Sequence, residues 1–307
     1  MKPETTERIA DTGLFELVGN TPMVSILIFS DEYPAAKVSA KAEYLNPGGS
    51  LKDRPVARML LNALKRGELN GDKVILDSSS GNAGIAYAIY GQAVGRQVEL
   101  VIPGNASRER LMRIRAHGAK VILTDPLEGY DEALREVQRR FKASPEKYYF
   151  ADQYGNEDNW MAHYETTAEE IVTQSPELTH FVGGIGTGGS VTGISRRLKE
   201  HNRDITVVVV KPERCPGIEG LKPLGEAGDV VPDILDKSSI DETMEISSEE
   251  ARIMCHRLAR GGFFVGQSSG AYMVAVEQIL RRDATANIVT LLNDTGERYI
   301  STSLWEE

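Results

Sequence analysis

The chain has 307 residues, of which 41% are hydrophobic and 26% charged, and its formal net charge is −10. This length suits one large α/β unit or two modest domains, and the acidic balance argues against nucleic acid or an anionic membrane as main partner. No apolar run approaches the roughly 20 residues that a membrane span needs. The polar start, MKPETTERIADTG, predicts no leader peptide, so we expect a cytoplasmic protein. Cys215 and Cys255 fit no metal or redox spacing, and we expect no metal site.

From residue 73 onward, short apolar runs alternate with amphipathic stretches. The predicted strands are 73–80, 97–103, 119–125, 148–152, 179–185, 205–211 and 287–294. The predicted helices are one that starts near Arg54, then 84–95, 107–118, 129–143, 158–174, 190–201, 248–262 and 270–282. Apolar strands without polar alternation are buried on both faces, and helices between them make parallel connections. The pattern therefore predicts an α/β protein with largely parallel sheets and helices on both faces.

The first motif is NPGGSLKDR at 46–54, which contains Lys52. Ser50 is a candidate N-cap for the following helix, and Pro55 requires that this helix begin close to Lys52. A lysine at a helix N-terminus is electrostatically disfavoured, and the same field lowers its pKa towards that of a usable amine. The motif alone leaves an ordinary surface lysine, with Asp53 as its ion-pair neighbour, as an alternative.

Three strand-to-helix turns are rich in Gly and Ser, and ligands bind at such turns in parallel sheets. The turn SSSGNAG at 78–84 offers hydroxyl, amide and main-chain N–H groups for a carboxylate, although Ser and Asn also cap helices routinely. The turn GIGTGGS at 184–190 suits a phosphate. It also fits the G-x-G-x-x-G pattern with Glu213 as a ribose-binding acid, so a nicotinamide oxidoreductase stays open. The turn GQSSGA at 266–271 is the weakest signal.

Together these segments resemble the cysteine synthase and cystathionine β-synthase family. The matching motifs are LVGNTP at 17–22, NPGGSLKDR at 46–54, SSGNAG at 79–84, GTGGS at 186–190, GQSSGA at 266–271 and DTGERY at 294–299. The resemblance implies a fold type II, tryptophan synthase β-like enzyme with pyridoxal 5'-phosphate between two three-layer α/β domains. Residues 1–42 and 150–307 are expected to form the larger, cofactor-binding domain, and 43–149 the smaller, movable one.

The resemblance also implies roles for single residues. Lys52 is similar to the lysine that forms the Schiff base, Asn82 to the asparagine that bonds the ring oxygen, and Ser268 to the serine that faces the pyridine nitrogen. The implied phosphate cup is Gly186, Thr187, Gly188, Gly189 and Ser190. The implied receptor for the substrate carboxylate is Ser79, Ser80, Gly81, Ala83 and Gln153. Ser79 and Ala83 depart from the threonines that are common in the family, and Ala83 lacks their hydroxyl.

The implied activity is β-replacement on an O-activated serine in a homodimer, closest to cysteine synthase (O-acetylserine sulfhydrylase), which uses O-acetylserine and sulfide. A thiol acceptor, as in cystathionine β-synthase, stays open because acceptor choice depends on pocket shape near 211–225. An O-phosphoserine donor stays open too, with Arg214 and Lys222 as candidate cations, although Glu213 and Glu219 beside them could neutralise both. The stretch 211–242 is too long for a plain connection, which is typical of a functional or mobile loop.

Overall fold

The structure is a computed structural model that describes residues 13–127, 129–225 and 229–306. The polar start of the chain, for which the sequence predicts no leader peptide, lies outside the described residues. The chain divides into two compact units, each built on its own sheet. Among the described helices, none is both long and apolar enough to cross a membrane.

One unit contains the chain up to Val18 and from Asn46 to Asn159. Its four strands are β3 (Val74–Ser78), β4 (Val98–Pro103), β5 (Lys120–Thr124) and β6 (Tyr148–Phe150). They form a parallel sheet in the order β5-β4-β3-β6. Its helices are α1 (Asp53–Arg66), α2 (Asn82–Ala93), α3 (Arg108–Ala116) and α4 (Gly129–Ala143), and α5 (Glu157–Ala162) begins at its carboxyl end.

Neighbouring residues of strand β3 face opposite sides of this sheet. Ile75 packs into a core that includes Leu60 of α1 and Tyr87 of α2. Leu76 packs on the other face with Ala133 and Val137 of α4. Side chains of a strand alternate between the two faces, so continuous apolar runs need helices on both sides. The predicted three-layer α/β arrangement is confirmed.

The other unit contains Gly19–Leu45 and the chain from Trp160 onward. Its six strands are β1 (Met23–Ser25), β2 (Lys37–Ala42), β7 (His180–Gly184), β8 (Thr206–Pro212), β9 (Glu242–Ile246) and β10 (Asn287–Leu292). Their order is β1-β2-β10-β7-β8-β9, and every pair except the antiparallel β1 and β2 is parallel. Its helices are α6 (Ala168–Gln174), α7 (Gly189–His201), α8 (Ser248–Arg260) and α9 (Gln267–Arg282).

Strands β1, β2 and β9 were not predicted. The lysines of KVSAKA, the sequence of β2, suggest a solvated segment, but Lys41 is fully buried. Its ammonium group pairs with the Glu170 carboxylate at 2.6 Å and donates to the Gln174 side-chain oxygen at 3.0 Å. A lysine can be buried when its charge is paired and hydrogen-bonded, which a polar pattern does not reveal.

The helix predicted near 158–174 is confirmed as one continuous helical stretch that contains α5 and α6. The prediction missed the π-helical turn between them, His163–Thr167. Helix α7 packs tightly against this turn at Gly193, where an added Cβ would collide with the Trp160 carbonyl oxygen and lie 2.7 Å from the Tyr164 nitrogen. A single π-helical turn inside an α-helix is too short to change the hydrophobic pattern visibly. The sequence therefore predicts an ordinary α-helix here.

Candidate active site

Lys52 occupies the N-cap position of helix α1, and its side chain is half-buried. The surface-lysine alternative put Lys52 on a solvated face, whereas its side chain is only partly exposed to solvent. The prediction that Ser50 is the N-cap is also wrong, although the Ser50 hydroxyl does accept the Lys52 main-chain N–H at 3.3 Å. Pro55 lies in the first turn, where its missing N–H costs no helical hydrogen bond, as predicted.

Asp53 organises the loop before Lys52. Its fully buried carboxylate accepts the main-chain N–H groups of Gly48 and Ser50, the latter at 3.1 Å, and the Ser50 hydroxyl at 3.3 Å. The Tyr90 hydroxyl, from helix α2, donates to it at 2.8 Å. An added Cβ at Gly48 would collide with this carboxylate, so the motif needs a glycine there. Asp53 is therefore more than an ion-pair neighbour, a role that the sequence did not predict.

The serine-rich turn joins strand β3 to helix α2. The N-cap of α2 is Gly81, which has no side chain to cap with, and Ser79 Oγ accepts the Gly81 N–H at 3.3 Å. A Cβ added at Gly81 would meet open space, whereas one at Gly84 would collide with the Ser79 carbonyl oxygen. The turn is thus packed tightly against its helix on one side and open on the other, as a receptor for a small anion requires.

The structure brings Gln153 beside this turn. Its side-chain amide donates to the Ser78 carbonyl oxygen at 3.0 Å, and both groups are buried. The Asn159 amide donates to the Gln153 carbonyl oxygen at 2.6 Å. The carboxylate of Asp158, the residue before Asn159, pairs with the Arg66 guanidinium group of helix α1 at 2.8 Å. The segment that carries Gln153 is therefore fixed on both sides within its unit.

The glycine loop 184–190 leads from strand β7 into helix α7. Gly188, the N-cap, has a φ of +84°, which favours glycine, and within the described structure no side chain caps this helix. Thr187 and Ser190 are buried polar residues. The first N–H groups of a helix of this length carry partial positive charge, so the loop can bind an anion such as a phosphate.

The segment after strand β8 packs against the glycine loop. The Lys222 N–H donates to the Ile185 carbonyl oxygen at 2.7 Å, and a Cβ added at Gly186 would lie 2.6 Å from the Gly220 carbonyl oxygen. The guanidinium group of Arg214 binds both carboxylate oxygens of Asp229, at 3.2 and 2.9 Å. Asp229 is thus a paired carboxylate of Arg214, which the sequence did not suggest.

Glu213 has another role than the oxidoreductase alternative requires. Its carboxylate accepts the Ser248 N–H at 2.5 Å, at the start of helix α8. Glu213 thus serves the start of helix α8, a role that the G-x-G-x-x-G interpretation did not predict.

Ser268 lies buried in the first turn of helix α9. Its Oγ accepts the side-chain amide of Asn293 at 3.0 Å, so its own hydrogen points elsewhere and can be donated. The neighbouring Ser269 Oγ accepts the Asn293 main-chain N–H at 2.9 Å. The sequence did not predict a role for Asn293. The one feature that could have indicated it is its position as a polar residue directly after the apolar strand β10.

The DTGERY motif, at 294–299, packs against the start of helix α9. The Tyr299 hydroxyl donates to the fully buried Asp294 carboxylate at 2.9 Å, and the Gly266 N–H donates to the Asp294 carbonyl oxygen at 3.2 Å. A Cβ at Gly266 would collide with the Asp294 carboxylate. The motif near the carboxyl end therefore fixes the start of helix α9, which carries Ser268.

Comparison with known proteins was made for sequence and for structure. The family model described as "Pyridoxal-phosphate dependent enzyme" matches residues 14–294. The cysteine synthase of Aquifex aeolicus is 44% identical over 98% of this chain and 94% of that protein. The crystal structure of a cysteine synthase from Entamoeba histolytica has a TM-score of 0.88 and 34% identity, covering 96% of this chain and 90% of that one. An O-acetylserine dependent cystathionine β-synthase from Helicobacter pylori has a TM-score of 0.86 and 32% identity, covering 95% and 98%.

Proposed function

Because the chain belongs to the pyridoxal-phosphate dependent enzymes, we propose that it makes L-cysteine from O-acetyl-L-serine and sulfide. The resemblance stated from the sequence motifs is thereby confirmed, and the nicotinamide alternative is abandoned. The observation that carries this activity is the similarity to a cysteine synthase over nearly the full length of both chains. Every motif that would serve the chemistry lies within the matched length.

The residues present fit pyridoxal 5'-phosphate. A phosphate suits the uncapped start of helix α7, where Gly186, Thr187, Gly188, Gly189 and Ser190 would hold it through main-chain N–H and hydroxyl groups. A ring nitrogen suits the hydroxyl of Ser268, because Asn293 occupies an acceptor position of that oxygen and leaves its hydrogen to donate. Asn82 would hold the ring oxygen, and Lys52 would bind the cofactor covalently.

When bound, the cofactor supplies an electron sink for the charge that develops at the substrate Cα. Lys52 takes the Cα proton as general base, and the leaving group departs from Cβ. Sulfide takes its place, and the Lys52 ammonium returns the proton to Cα. The field at the N-terminus of α1 disfavours the charged ammonium, so it favours both the neutral amine that accepts the proton and the return of that proton to Cα. The neutral hydroxyl of Ser268 would leave the ring nitrogen of a bound cofactor largely unprotonated, which would favour β-replacement over transamination.

The donor's carboxylate binds at Ser79, Ser80, Gly81, Ala83 and Gln153. The uncapped N–H groups of helix α2 and the fixed Gln153 loop support this assignment. Ala83 is buried and brings no hydroxyl, so main-chain N–H groups and the serines carry more of the binding. We also propose that the unit that bears this turn closes over the donor when the donor's carboxylate binds.

The donor is an acetyl rather than a phosphoryl ester. A phosphate leaving group needs an unengaged cation, and an arginine fork is the best one. The Arg214 guanidinium group already makes a bidentate contact with the Asp229 carboxylate. The Lys222 ammonium group donates to the Val230 carbonyl oxygen at 3.4 Å. The test compares catalytic efficiency with O-acetylserine and O-phosphoserine in wild type and Arg214→Ala. Preference for O-phosphoserine that the substitution removes would refute this choice.

Sulfide is the proposed acceptor, and homocysteine is the second candidate because one structural neighbour is a cystathionine β-synthase. Product analysis with O-acetyl-L-serine and each acceptor in turn decides between them. We expect cysteine to form faster than cystathionine, and no product from Lys52→Ala. Faster formation of cystathionine would reassign the acceptor, and absence of both products from wild type would refute the activity.

We further propose a homodimer. Three apolar side chains support a dimer, because each exposes more than half of its surface. They are Leu27 at 69%, Ile253 at 56% and Ile300 at 63%, all in the unit with the six-stranded sheet. Isolated exposed apolar residues are common, so the solution mass is the measurement that matters. Light scattering coupled to gel filtration should give twice the chain mass, and the mass of one chain would contradict the proposal.

A further inference from the structure

Asp77 lies directly before the serine-rich turn and was assigned no role from the sequence. It is the residue before the last one of strand β3, and it is 1% exposed. Its carboxylate oxygen Oδ1 accepts the Ser78 main-chain N–H at 2.7 Å. The group therefore sits beneath the turn that would receive the donor's carboxylate.

The other carboxylate oxygen of Asp77, Oδ2, is buried and has no hydrogen-bond partner among the described residues. Burial without a partner disfavours the charged form of an acid. The next residue, Ser78, is held at both of its main-chain groups: Asp77 accepts its N–H, and the Gln153 side-chain amide donates to its carbonyl oxygen at 3.0 Å. The buried acid therefore lies against the residue that joins the turn to the Gln153 loop.

The charge of this group changes near neutral pH. Burial raises the pKa of Asp77 to about 7, against the opposing effect of the hydrogen bond from the Ser78 N–H and of the nearby Tyr87 hydroxyl. The titratable groups that act on it are Tyr87 in helix α2 and Asp152, whose negative charge raises the pKa further. A second negative charge, brought close by the donor, would act in the same direction as Asp152.

We propose that Asp77 is a positioning residue that makes donor binding depend on pH: the donor binds tightly while Asp77 is uncharged and more weakly once it ionises. The inference rests on the proposed function, because it takes Ser79–Ala83 and Gln153 as the carboxylate receptor. Like charges in a buried site repel, so occupancy by a carboxylate favours the protonated acid, and by linkage the protonated acid favours occupancy.

The experiment measures the half-saturating concentration of O-acetyl-L-serine from the absorbance change of the holoenzyme, without acceptor, for wild type and Asp77→Asn. The ratio of the two cancels the titration of the donor's own amine. We expect the wild-type value relative to the variant to rise about tenfold between about pH 6 and pH 8.5, which corresponds to a binding-induced pKa change of about one.

Glu99→Gln is the matched control. It removes a buried carboxylate from strand β4 of the same sheet, where Lys120 and Tyr148 donate to it, rather than from the strand that leads into the turn. The half-saturating donor concentration of this control should depend on pH as it does in the wild type. A different dependence would show that the loss of any carboxylate in this unit alters donor binding. A constant ratio between wild type and Asp77→Asn overturns this inference alone. A wild type that binds no donor at any pH overturns the proposed function and, with it, this inference.

A second measurement needs no donor. The pKa of Asp77 in the folded chain, about 7, exceeds its ordinary value of 3.8, so its stabilising contribution is complete below that ordinary value. That contribution is lost as pH rises towards the folded value. The free energy of unfolding of the wild type relative to Asp77→Asn should therefore fall across this window. Parallel curves would show that Asp77 does not titrate there, and the inference would be wrong.

Discussion

Replacing Asp53 by asparagine tests whether this residue organises the loop before Lys52. The carboxylate oxygen Oδ1 serves Gly48 and Tyr90, and Oδ2 serves the N–H and hydroxyl of Ser50. An amide oxygen can replace Oδ1, but the amide nitrogen then faces the Ser50 N–H. The Ser50 hydroxyl can rotate to accept a hydrogen bond, whereas its main-chain N–H cannot.

The expected loss follows from these contacts. A hydrogen bond to a charged acceptor contributes about 1.5–3 kcal/mol, and a buried donor left without a partner falls at the upper end of that range. We therefore expect Asp53→Asn to lower the free energy of unfolding by about 3 kcal/mol, because Asp53 is fully buried. The matched control, Tyr90→Phe, removes one hydroxyl and leaves the loop contacts, so about 1–2 kcal/mol is expected.

Urea denaturation followed by circular dichroism, at one fixed cofactor concentration, measures both variants, because bound ligand adds to stability. Turnover should fall at least about tenfold in Asp53→Asn, since misplacing the reacting group by a fraction of an ångström is costly. Asp53→Asn with wild-type stability and turnover would refute the reasoning. Equal losses in both variants would place the effect in the Tyr90 bond alone.

Three further substitutions test the proposed site. Lys52→Ala should abolish turnover and the absorbance band of lysine-bound cofactor; a retained band without added amine would mean that another lysine serves. Gly188→Asp should greatly weaken cofactor retention through charge repulsion, and Gly188→Ala, which shares the strain of a φ of +84°, isolates the effect of charge. Full occupancy in the aspartate variant would put the phosphate elsewhere. Ser268→Asp should protonate the ring nitrogen and slow β-replacement, and an unchanged single-turnover rate would contradict this assignment.

Seven parallel strands, β3 to β8 and β10, could be predicted from sequence because their apolar runs carry no polar alternation. Strand β2 could not, because the charge of Lys41 is buried against Glu170, a partner far away in the chain. The π-helical turn at His163–Thr167 was not predicted either, and it packs closely against Gly193 of another helix. Tertiary contacts override the local pattern at these places.

In the candidate site, the motif residues that would touch ligands could be identified, but those that hold them could not. Asp53, Asp77 and Asn293 act through hydrogen bonds to main-chain or side-chain groups of other segments. A single sequence does not show such pairings, because the residue types are common and their spacing carries no period. The domain boundaries stay a prediction, and the compact unit extends beyond the predicted 43–149 to Asn159.

Helix α8 begins with a complete capping box, in which Ser247 and Glu250 satisfy each other's main-chain N–H groups. Helices α2, α7 and α9 begin instead at Gly81, Gly188 and Gly266, residues that bring no capping side chain. Ligands that bind at those three ends would stabilise the folded chain, because they would bind it and not the unfolded one. At 100 times its dissociation constant, a ligand adds about 2.7 kcal/mol. The half-life of this protein in a cell should therefore follow the supply of vitamin B6 and of serine esters.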